Sequence, residues 1–404
     1  MSVNILMFNC GSTSLRYRII SMPGETEILA GKAERIGMKT QESALINHYY
    51  RGRKRTITMD LPDHAAAFLK AMDLIREDAA KDPEVRFDAF AHRYVHPGSY
   101  FTKTTKVDKI VLRKLKDTLE LAPIHNPTSY KLIDLCDQHF PQVQQLIVFD
   151  NSFHSTIPKE LSTYALPARL TKKYGLKKVG FHGISHEYAM QEACKLLGSA
   201  VKEQRIISCH LSAGGSSICA IDRGKSINNS MGFTPLEGLI MNTRSGDLDL
   251  GTVFYIMSRE NFSADDIETI LNKKSGILGI FKYSSDLRDV IKNMETDPAA
   301  KMAFSMYVKR VRKYISFYML LLKKADALVF TDDIGMGFPV VRRAVCEGLG
   351  FYGLELDQEK NTAYVDGLAD ISTTKSQTRI IIVPINEELM IARQAYKAYE
   401  KTST

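Results

Sequence analysis

Short apolar runs separated by small polar residues predict a strand hairpin at the start of the chain and another near its middle. The apolar run 3–8, the small-residue segment 9–14 and the strand-like stretch 15–20 together form the pattern of a hairpin. The same pattern returns at 205–210 and 218–222. The repeat predicts a duplicated domain whose hairpin turns could bind anions through backbone N–H groups. Two unrelated hairpins are the alternative.

The remaining apolar pattern predicts an α/β protein. It predicts helices at 64–82 and 299–324, a helix after Pro384, and strands at 88–92, 145–149, 327–330 and 379–383. We expect one domain at 1–150 with 385–404, whose C-terminal helix packs back on it, and a second at 151–384. Ligands of open α/β sheets bind beyond the carboxyl ends of the strands. The polar residues predicted there are Asn9, Arg93, Asp150, His210 and Thr331.

The segment 327–338, ALVFTDDIGMGF, raises a question about charge. Its pattern predicts a buried strand, a glycine-containing turn, and a helix that starts at Phe338 and Pro339. Turns in that position often hold phosphates. Asp332 and Asp333 open this turn and disfavour an anionic ligand, although aspartate is also an ordinary residue at a helix N-terminus.

Composition narrows the class of protein. The chain has 404 residues, with 44% hydrophobic and 25% charged residues, as soluble globular proteins of two or three domains have. Its net charge of +8 is spread along the chain, so we expect no nucleic-acid partner. The apolar run 314–322 is too short to cross a membrane. The six cysteines are scattered, which predicts reduced thiols in a cytoplasmic protein.

Ten stretches resemble the acetate kinase family, in the family's order and over essentially the whole chain. They lie at 8–15, 92–96, 121–127, 148–154, 180–186, 208–211, 230–238, 243–247, 284–289 and 386–393. The resemblance implies two duplicated actin-like (ribonuclease-H-like) domains around a central cleft. It also implies a homodimer, Mg²⁺ (with Mn²⁺ as a substitute), and reversible phosphoryl transfer between acetate and acetyl phosphate.

The resemblance also implies roles for particular residues. Asp150, His182 and Arg244 would be catalytic, and Arg93 would bind the substrate carboxylate. The metal would be held at Asn9 and Glu387. A small apolar pocket for the methyl group would be formed by Val95, Ile124, Phe181 and Pro235. The phosphoryl donor, in the second domain, would be bound by Ser12, Ser14, Arg16, His210, Ser212, Ala213, Gly214, Asp286, Leu287, Arg288, Asp333, Ile334, Gly335, Met336 and Gly337.

The departures from the family pattern concern the donor. The family has Gly-Asn-Gly where this chain has 212–214, Lys at Arg16, and two glycines followed by Ile-Gly-Glu-Asn at 332–337. Like charges about 4 Å apart cost up to ~4 kcal/mol at an effective dielectric of ~20. We therefore expect pyrophosphate to be the donor in place of ATP. The alternatives are an ordinary ATP-dependent acetate or propionate kinase and a non-catalytic actin-like scaffold.

Overall fold

The computed structural model describes residues 2–38, 42–123 and 125–403. The chain divides into two compact units. Unit 1 comprises Met1–Ser152 and Asn386–Thr404, and unit 2 comprises Phe153–Ile385. Across the described ranges, no helix combines the length and the apolar character needed to cross a membrane.

The secondary structure alternates strands and helices in both units. The strands are β1 (Val3–Cys10), β2 (Ser14–Met22), β3 (Thr26–Glu34), β4 (Leu45–Tyr50), β5 (Arg53–Thr58), β6 (Ala89–Tyr94), β7 (Thr105–Lys106), β8 (Gln144–Phe149), β9 (Arg205–His210), β10 (Ser217–Asp222), β11 (Lys225–Asn229), β12 (Ala327–Thr331), β13 (Ala369–Asp370) and β14 (Arg379–Val383). The helices are α1 (His64–Ala79), α2 (Lys109–Lys116), α3 (Asn126–His139), α4 (Lys159–Ser162), α5 (Ala168–Tyr174), α6 (Gly183–Leu196), α7 (Leu250–Glu260), α8 (Ala264–Lys273), α9 (Gly276–Phe281), α10 (Leu287–Asn293), α11 (Pro298–Leu322), α12 (Asp332–Gly337), α13 (Pro339–Cys346), α14 (Gln358–Ala363) and α15 (Glu387–Ser403).

Unit 1 is built on a sheet with the strand order β5-β4-β3-β2-β1-β6-β8-β7. Strands β1 to β5 pair antiparallel, while β1, β6 and β8 run parallel. Helices α1 and α3 pack against this sheet, and the C-terminal helix α15 packs on β1, β2, β6 and β8. The apolar residues between the sheet and α1 form a core that includes Phe8, Phe68 and Phe90.

Unit 2 repeats this arrangement. Its sheet has the order β11-β10-β9-β12-β14-β13, with β9, β10 and β11 antiparallel and β9, β12 and β14 parallel. Three antiparallel strands followed by two parallel ones are also found in β3-β2-β1-β6-β8 of unit 1. The repeated order confirms the predicted duplication of an actin-like α/β domain. Helix α11 covers β9 and β10, and α6 packs on β9, β12 and β14.

Most of the predicted elements are present, and one is different. The two hairpins form as predicted, and the strand predicted at 379–383 is β14. The predicted glycine turn after β12 is wrong, because Asp332–Gly337 is the short helix α12. Its N–H groups at Ile334 and Gly335 bond to the carbonyl of Leu211, which comes from a distant part of the chain. The predicted helix start at Pro339 is confirmed, as α13.

In strand β6, the alternation of side chains places the buried His92 next to the half-buried Arg93. Successive side chains of a strand point to opposite faces. His92 is buried among aromatic rings, with its ring 5.9 Å from that of Phe8, and its Nε2 lies 2.9 Å from the side-chain amide of Gln145. Burial lowers the pKa of His92 to about 4. Arg93 lies on the other face and belongs to the candidate site described below.

We expect this histidine to make folding stability depend on pH. Its pKa is about 4 in the folded chain and about 6.5 in the unfolded chain. The folded state therefore disfavours the proton, so stability is complete above about pH 6.5 and is lost as the pH falls towards 4. Urea unfolding should show a loss of about 2 kcal/mol between pH 7 and pH 5 from this group. The buried His48 and His186, whose pKa values burial also lowers, add to the loss.

The matched variant is His92→Leu, which removes the titrating group. Its absolute stability changes because Gln145 loses a partner, so the informative quantity is the slope of stability with pH. The slope should be shallower than in the parent chain. An equal slope in both chains would show that His92 does not carry this dependence.

Candidate active site

In unit 1, four polar residues meet at the carboxyl ends of β1, β6 and β8, and we call them the Arg93 cluster. They are Asn9, Arg93, Asp150 and Glu387. Arg93 Nη2 lies 3.2 Å from Asp150 Oδ2, and Nη1 lies 3.5 Å from Glu387 Oε2. Nη1 also donates to Asn9 Oδ1 at 3.4 Å, and Asn9 Nδ2 donates to Glu387 Oε2 at 3.3 Å.

Electrostatics keep Arg93 charged in this cluster. Burial acts to lower the pKa of Arg93, but the Asp150 and Glu387 carboxylates outweigh it and raise that pKa. The two carboxylates exceed the single guanidinium by one negative charge. Oxygen ligands on a locally negative cluster suit a hard cation. Within the described ranges, no group of three or more His, Cys, Asp or Glu side chains converges as a ready-made metal site.

The hairpin turn between β1 and β2 also lies in unit 1. The N–H of Gly11 donates to the carbonyl of Ser14 at 2.9 Å, which closes the turn. Ser12 is exposed and Ser14 is half-buried. Arg16 pairs with Glu388, with Nη1 3.4 Å from Oε1, and its side chain is otherwise largely exposed.

In unit 2, two histidines share one serine hydroxyl. His182 precedes α6 in a left-handed conformation, with φ of 58°. Its Nδ1 lies 2.8 Å from Ser217 Oγ, and His186 Nε2 lies 2.8 Å from the same oxygen. A hydroxyl has one proton to donate, so it donates to one ring and accepts from the other. The proton positions of the two rings are therefore coupled.

His186 is the inner member of this pair. Its Nδ1 lies 2.9 Å from Ser208 Oγ, and burial, together with the neighbouring histidines, lowers its pKa well below the ordinary value. It is therefore neutral near pH 7. The neutral His186 is hydrogen-bonded to both Ser208 and Ser217. It therefore fixes the orientation of Ser217 and, through Ser217, that of His182.

Arg244 lies on a loop that the backbone of α9 holds in place. The N–H groups of Ser275, Ile277 and Leu278 donate to carbonyls of residues 241–243. Gly276, with φ of +63°, lies so close to the loop that a Cβ there would be 2.2 Å from the carbonyl oxygen of Met241. Only glycine is compatible with that approach. The loop that carries Arg244 is thus fixed by residues some thirty positions away in sequence.

Arg244 has no carboxylate partner in the described part of the chain. Burial lowers its pKa, and the described residues place no carboxylate beside it. Its Nη1 contacts the sulfur of Met241 at 3.7 Å. A Cβ on Gly215 would be 3.2 Å from Arg244 Nη1 and 3.7 Å from His182 Nε2, so both side chains border the same glycine. We call His182, His210, Ser217 and Arg244 the Arg244 cluster. It is a cationic site that suits an anion.

His210 ends β9 and lies beside His182, with ring centroids 4.4 Å apart. Its Nε2 lies 3.1 Å from Asp332 Oδ2. The next carboxylate, Asp333, accepts from the N–H of Ala213 at 3.0 Å and from its neighbour Ile334 at 2.8 Å. Both carboxylates therefore accept backbone hydrogen bonds from their own chain, Asp332 from the N–H of Asp333 and Asp333 from those of Ala213 and Ile334.

The other predicted donor residues of unit 2 are divided between surface and core. Arg288 forms an ion pair with Asp286, with Nε 3.0 and 2.9 Å from the two carboxylate oxygens. This hydrogen bonding lowers the pKa of Asp286. Leu287 and Ile334 are buried in the core, and Met336 packs against it. Of the glycines, Gly214 and Gly337 border open space, while Gly335 is buried, with room for a Cβ at ordinary contact distances. Ser212 Oγ accepts a long hydrogen bond from the N–H of Gly214.

The predicted apolar pocket residues fall in both units. Val95 in unit 1 and Phe181 in unit 2 are buried. Pro235 in unit 2 is half-buried. Ile124 lies outside the described residues.

Reasoning from the sequence missed three contributors. His186 stands four residues after His182, a spacing that places both at one face of a helix, and this was the available signal. Ser217 and Gly276 had none, because their roles depend on contacts between distant segments.

The chain is similar to known proteins over almost its full length, in sequence and in structure. The model of the Acetokinase family matches residues 4–393. The acetate kinase of Thermoanaerobacterium thermosaccharolyticum is 42% identical over 405 residues, covering 98% of this chain and 99% of the relative. The acetate kinase structure of Porphyromonas gingivalis has a TM-score of 0.88 at 34% identity, covering 98% of this chain and 99% of that one. A propionate kinase structure from Francisella tularensis subsp. tularensis has a TM-score of 0.87 at 36% identity, covering 97% and 98%.

Replacing Gly276 by alanine should damage unit 2. The new Cβ would be 2.2 Å from a backbone oxygen in a backbone conformation that favours glycine, so we expect unfolding to become easier by roughly 2–4 kcal/mol. Thermal and urea unfolding measure this. Gly350→Ala is the control, since no atom lies within 4 Å of its Cβ position. Equal stability of both variants would contradict the packing described.

Proposed function

Because this chain belongs to the acetokinase family, we propose that it moves a phosphoryl group reversibly between acetyl phosphate and a phosphoryl donor. Membership makes it a phosphotransferase with a carboxyl group as acceptor. The observation that carries the finer proposal is Arg244, a half-buried guanidinium without a carboxylate partner among the described residues. A transferring phosphoryl group carries the negative charge that such a site lacks.

The chemistry requires positioning more than bond activation. A carboxylate is already a nucleophile, so no base has to remove a proton from it. The barrier comes from bringing two anions together and from the charge on the phosphoryl oxygens in the transition state. In this proposal, Arg244 and His182 donate hydrogen bonds to those oxygens. Ser217 fixes the His182 ring for that task.

The Arg93 cluster would hold the carboxylate substrate. Arg93 offers a planar, permanently charged fork to carboxylate oxygens. Asp150, 3.2 Å from Nη2, fixes the orientation of that fork. We therefore propose that Asp150 acts by positioning Arg93.

Magnesium would bind beside Arg93. Asn9 and Glu387 supply an amide oxygen and a carboxylate, which fits Mg²⁺ because that ion keeps several waters and takes few protein ligands. Manganese accepts the same oxygen ligands. When bound, the ion would neutralise charge on the donor phosphates.

The resemblance assigns the methyl group of acetate to the apolar residues Val95, Phe181 and Pro235. Ile124, outside the described residues, is part of the same assignment. Such a pocket discriminates by only about 1–3 kcal/mol per methylene. Propionate is therefore a second substrate, as the name of the Francisella relative suggests for that protein.

For the donor, we propose pyrophosphate, and ATP is the alternative. Asp332 and Asp333 stand where the resemblance expects glycines, at the start of α12. The side chains bring negative charge to the edge where a nucleotide would extend. The Asp286–Arg288 pair, by contrast, is retained and favours the ATP alternative.

We also propose the homodimer that the resemblance implies. Helix α7 has no buried residue, and Leu250, Phe254 and Tyr255 on it are 69%, 67% and 62% exposed. A second copy of the chain would cover these side chains. Burying apolar surface of this kind stabilises association.

The central experiment measures acetyl phosphate formation from acetate and Mg²⁺ with pyrophosphate, ATP and GTP in parallel. We expect turnover with pyrophosphate and at least about tenfold weaker use of ATP, because the carboxylates at α12 oppose the longer donor. Brisk ATP turnover at low ATP concentration would refute the donor assignment. Absence of turnover with every donor, from folded protein, would refute the catalytic proposal.

Two matched variants distinguish a specific role of Arg244 from a general effect of removing one positive charge. Arg244→Ala should lower kcat at least about a hundredfold, since it removes a donor to the developing charge. Arg169→Ala removes an exposed arginine of α5 and should leave activity unchanged. Similar activity of the two variants would remove Arg244 from the proposed site.

The dimer proposal predicts that Phe254→Asp gives a monomer of 45.4 kDa by light scattering. The introduced carboxylate would have to be buried without a partner in the interface. Ile110→Asp is the control, since Ile110 is 55% exposed on α2 of unit 1. A dimer that survives Phe254→Asp would exclude α7 as the interface.

A further inference from the structure

The backbone of Gly232 links two segments of unit 2 that carry proposed pocket residues. Its carbonyl accepts from the two N–H groups of residues 179–180, each at 3.1 Å, and its N–H donates to the carbonyl of Thr234 at 3.3 Å. Phe181 directly follows the first pair, and Pro235 directly follows Thr234. Each of these two apolar residues is therefore one position away from a group that bonds to the same glycine.

A tyrosine and a glutamate hold the loop 231–237 in place. Tyr164 Oη donates to Glu237 Oε2 at 2.7 Å and accepts from the N–H of Phe233, in the middle of the loop, at 2.8 Å. Burial, together with the Glu237 carboxylate, raises the pKa of Tyr164. The hydroxyl therefore keeps the proton that it donates to Glu237.

Lys178 joins this pair from the segment that leads to Gly180. Its Nζ donates to Glu237 Oε1 and, at 3.2 Å, to the carbonyl of Met231, so it reaches both ends of the loop. Its side chain is only 11% exposed, and an ion pair withdrawn from water is screened less than one on the surface. We call Tyr164, Lys178 and Glu237 the Glu237 bridge.

The Glu237 bridge lies across Gly232. A Cβ on Gly232 would be 1.8 Å from Glu237 Oε2 and 2.3 Å from Tyr164 Oη. The carboxylate and the hydroxyl thus occupy the space that a side chain would take. The bridge therefore packs directly on the residue that links the two segments.

The segment 179–182 is also bonded to residues near the sheet. The carbonyl of Phe181 accepts from Asn229 Nδ2 at 3.1 Å and lies 2.8 Å from His154 Nε2. These contacts hold the backbone just before His182 whether or not the bridge is present. Loss of the bridge should therefore displace the loop 231–237 more than it displaces this segment.

We propose that the residues of the Glu237 bridge are positioning residues that set which acyl chain the site accepts, because they hold Pro235 in place relative to Phe181. The inference rests on the proposed function, since the resemblance assigns these two residues to the methyl group of acetate. The bridge acts through the loop and Gly232. A wall held by hydrogen bonds resists the extra methylene of propionate, whereas a released loop yields to it.

Two variants of the full chain weaken the bridge without adding bulk. Tyr164→Phe removes one hydroxyl, and Lys178→Met removes the ammonium and keeps an apolar stem. The measurement is kcat/KM for acyl phosphate formation from acetate and from propionate. We expect the acetate-to-propionate ratio to fall at least about threefold in both variants, because a methylene is worth about tenfold or more in a well-fitted pocket. The ratio within one preparation does not depend on the fraction of folded protein.

Two further variants test the specificity of this effect. Lys178→Arg keeps the charge and the hydrogen-bond donors, so it should retain the ratio to within about twofold. Tyr174→Phe makes the same chemical change at a tyrosine of α5 that is 58% exposed, and it should leave the ratio unchanged. An equal loss of activity towards both acids in Tyr164→Phe would overturn the inference.

Hydrogen exchange tests the link between the two segments without an activity assay. In Tyr164→Phe, peptides that contain residues 179–180 should exchange at least about threefold faster, because the loop that supplies their acceptor opens more often. Unchanged exchange in these peptides would overturn the link. A parent chain that forms no acyl phosphate from either acid would overturn the proposed function and acyl selection with it. An active parent chain whose ratio is unmoved in the variants would overturn the inference alone.

Discussion

Parallel pairing between the central strands is the constraint on which both clusters depend. In unit 1, Phe8 pairs with His92 across β1 and β6, so Asn9 and Arg93 emerge side by side. In unit 2, Thr331 pairs with His210 across β12 and β9, so Asp332 emerges next to His210. Parallel strands end at the same edge of a sheet. A shift of one residue in either register would turn these side chains to the opposite face.

The two clusters differ in charge balance, and this difference gives each a distinct chemistry. Arg93 is held by two carboxylates, so its cluster is negative and can accept both a carboxylate on the guanidinium fork and a cation on the oxygens. Arg244 lies on a loop held by backbone hydrogen bonds, and no carboxylate among the described residues compensates its positive charge. An arginine already paired with carboxylates orients a ligand, whereas an unpaired one stabilises charge that arrives with the ligand. Within the proposed function, the first suits the acceptor and the second the transferring group.

The sequence predicted what depends on local pattern. Strand ends such as Asn9, Arg93 and His210 were predictable because an apolar run stops at a polar residue. Helix α12 was not, since Asp-Asp-Ile-Gly-Met-Gly is typical of a turn, and its first N–H groups are satisfied by Leu211 from another segment. The sharing of Ser217 by two histidines and the approach of Gly276 to Met241 are likewise tertiary contacts. Residue spacing along one chain carries no record of them.

The aspartate pair shows how tertiary contacts change a charge argument. Counted from the sequence, Asp332 and Asp333 are two free negative charges that repel any phosphate. In the fold, Asp332 accepts a hydrogen bond from the N–H of Asp333, and Asp333 accepts one from the N–H of Ala213. Neither charge is free, so the repulsion is weaker than the bare Coulomb value.

What remains is competition between the Asp333 carboxylate and a bound phosphate for backbone N–H groups. A phosphoryl donor that needs the N–H of Ala213 must displace the carboxylate of Asp333. A compact phosphoryl donor held at Arg244 and His182 need not reach that N–H. Under the proposed function, the aspartates therefore select by the reach of the donor, and a diphosphate without a nucleoside has the shorter reach.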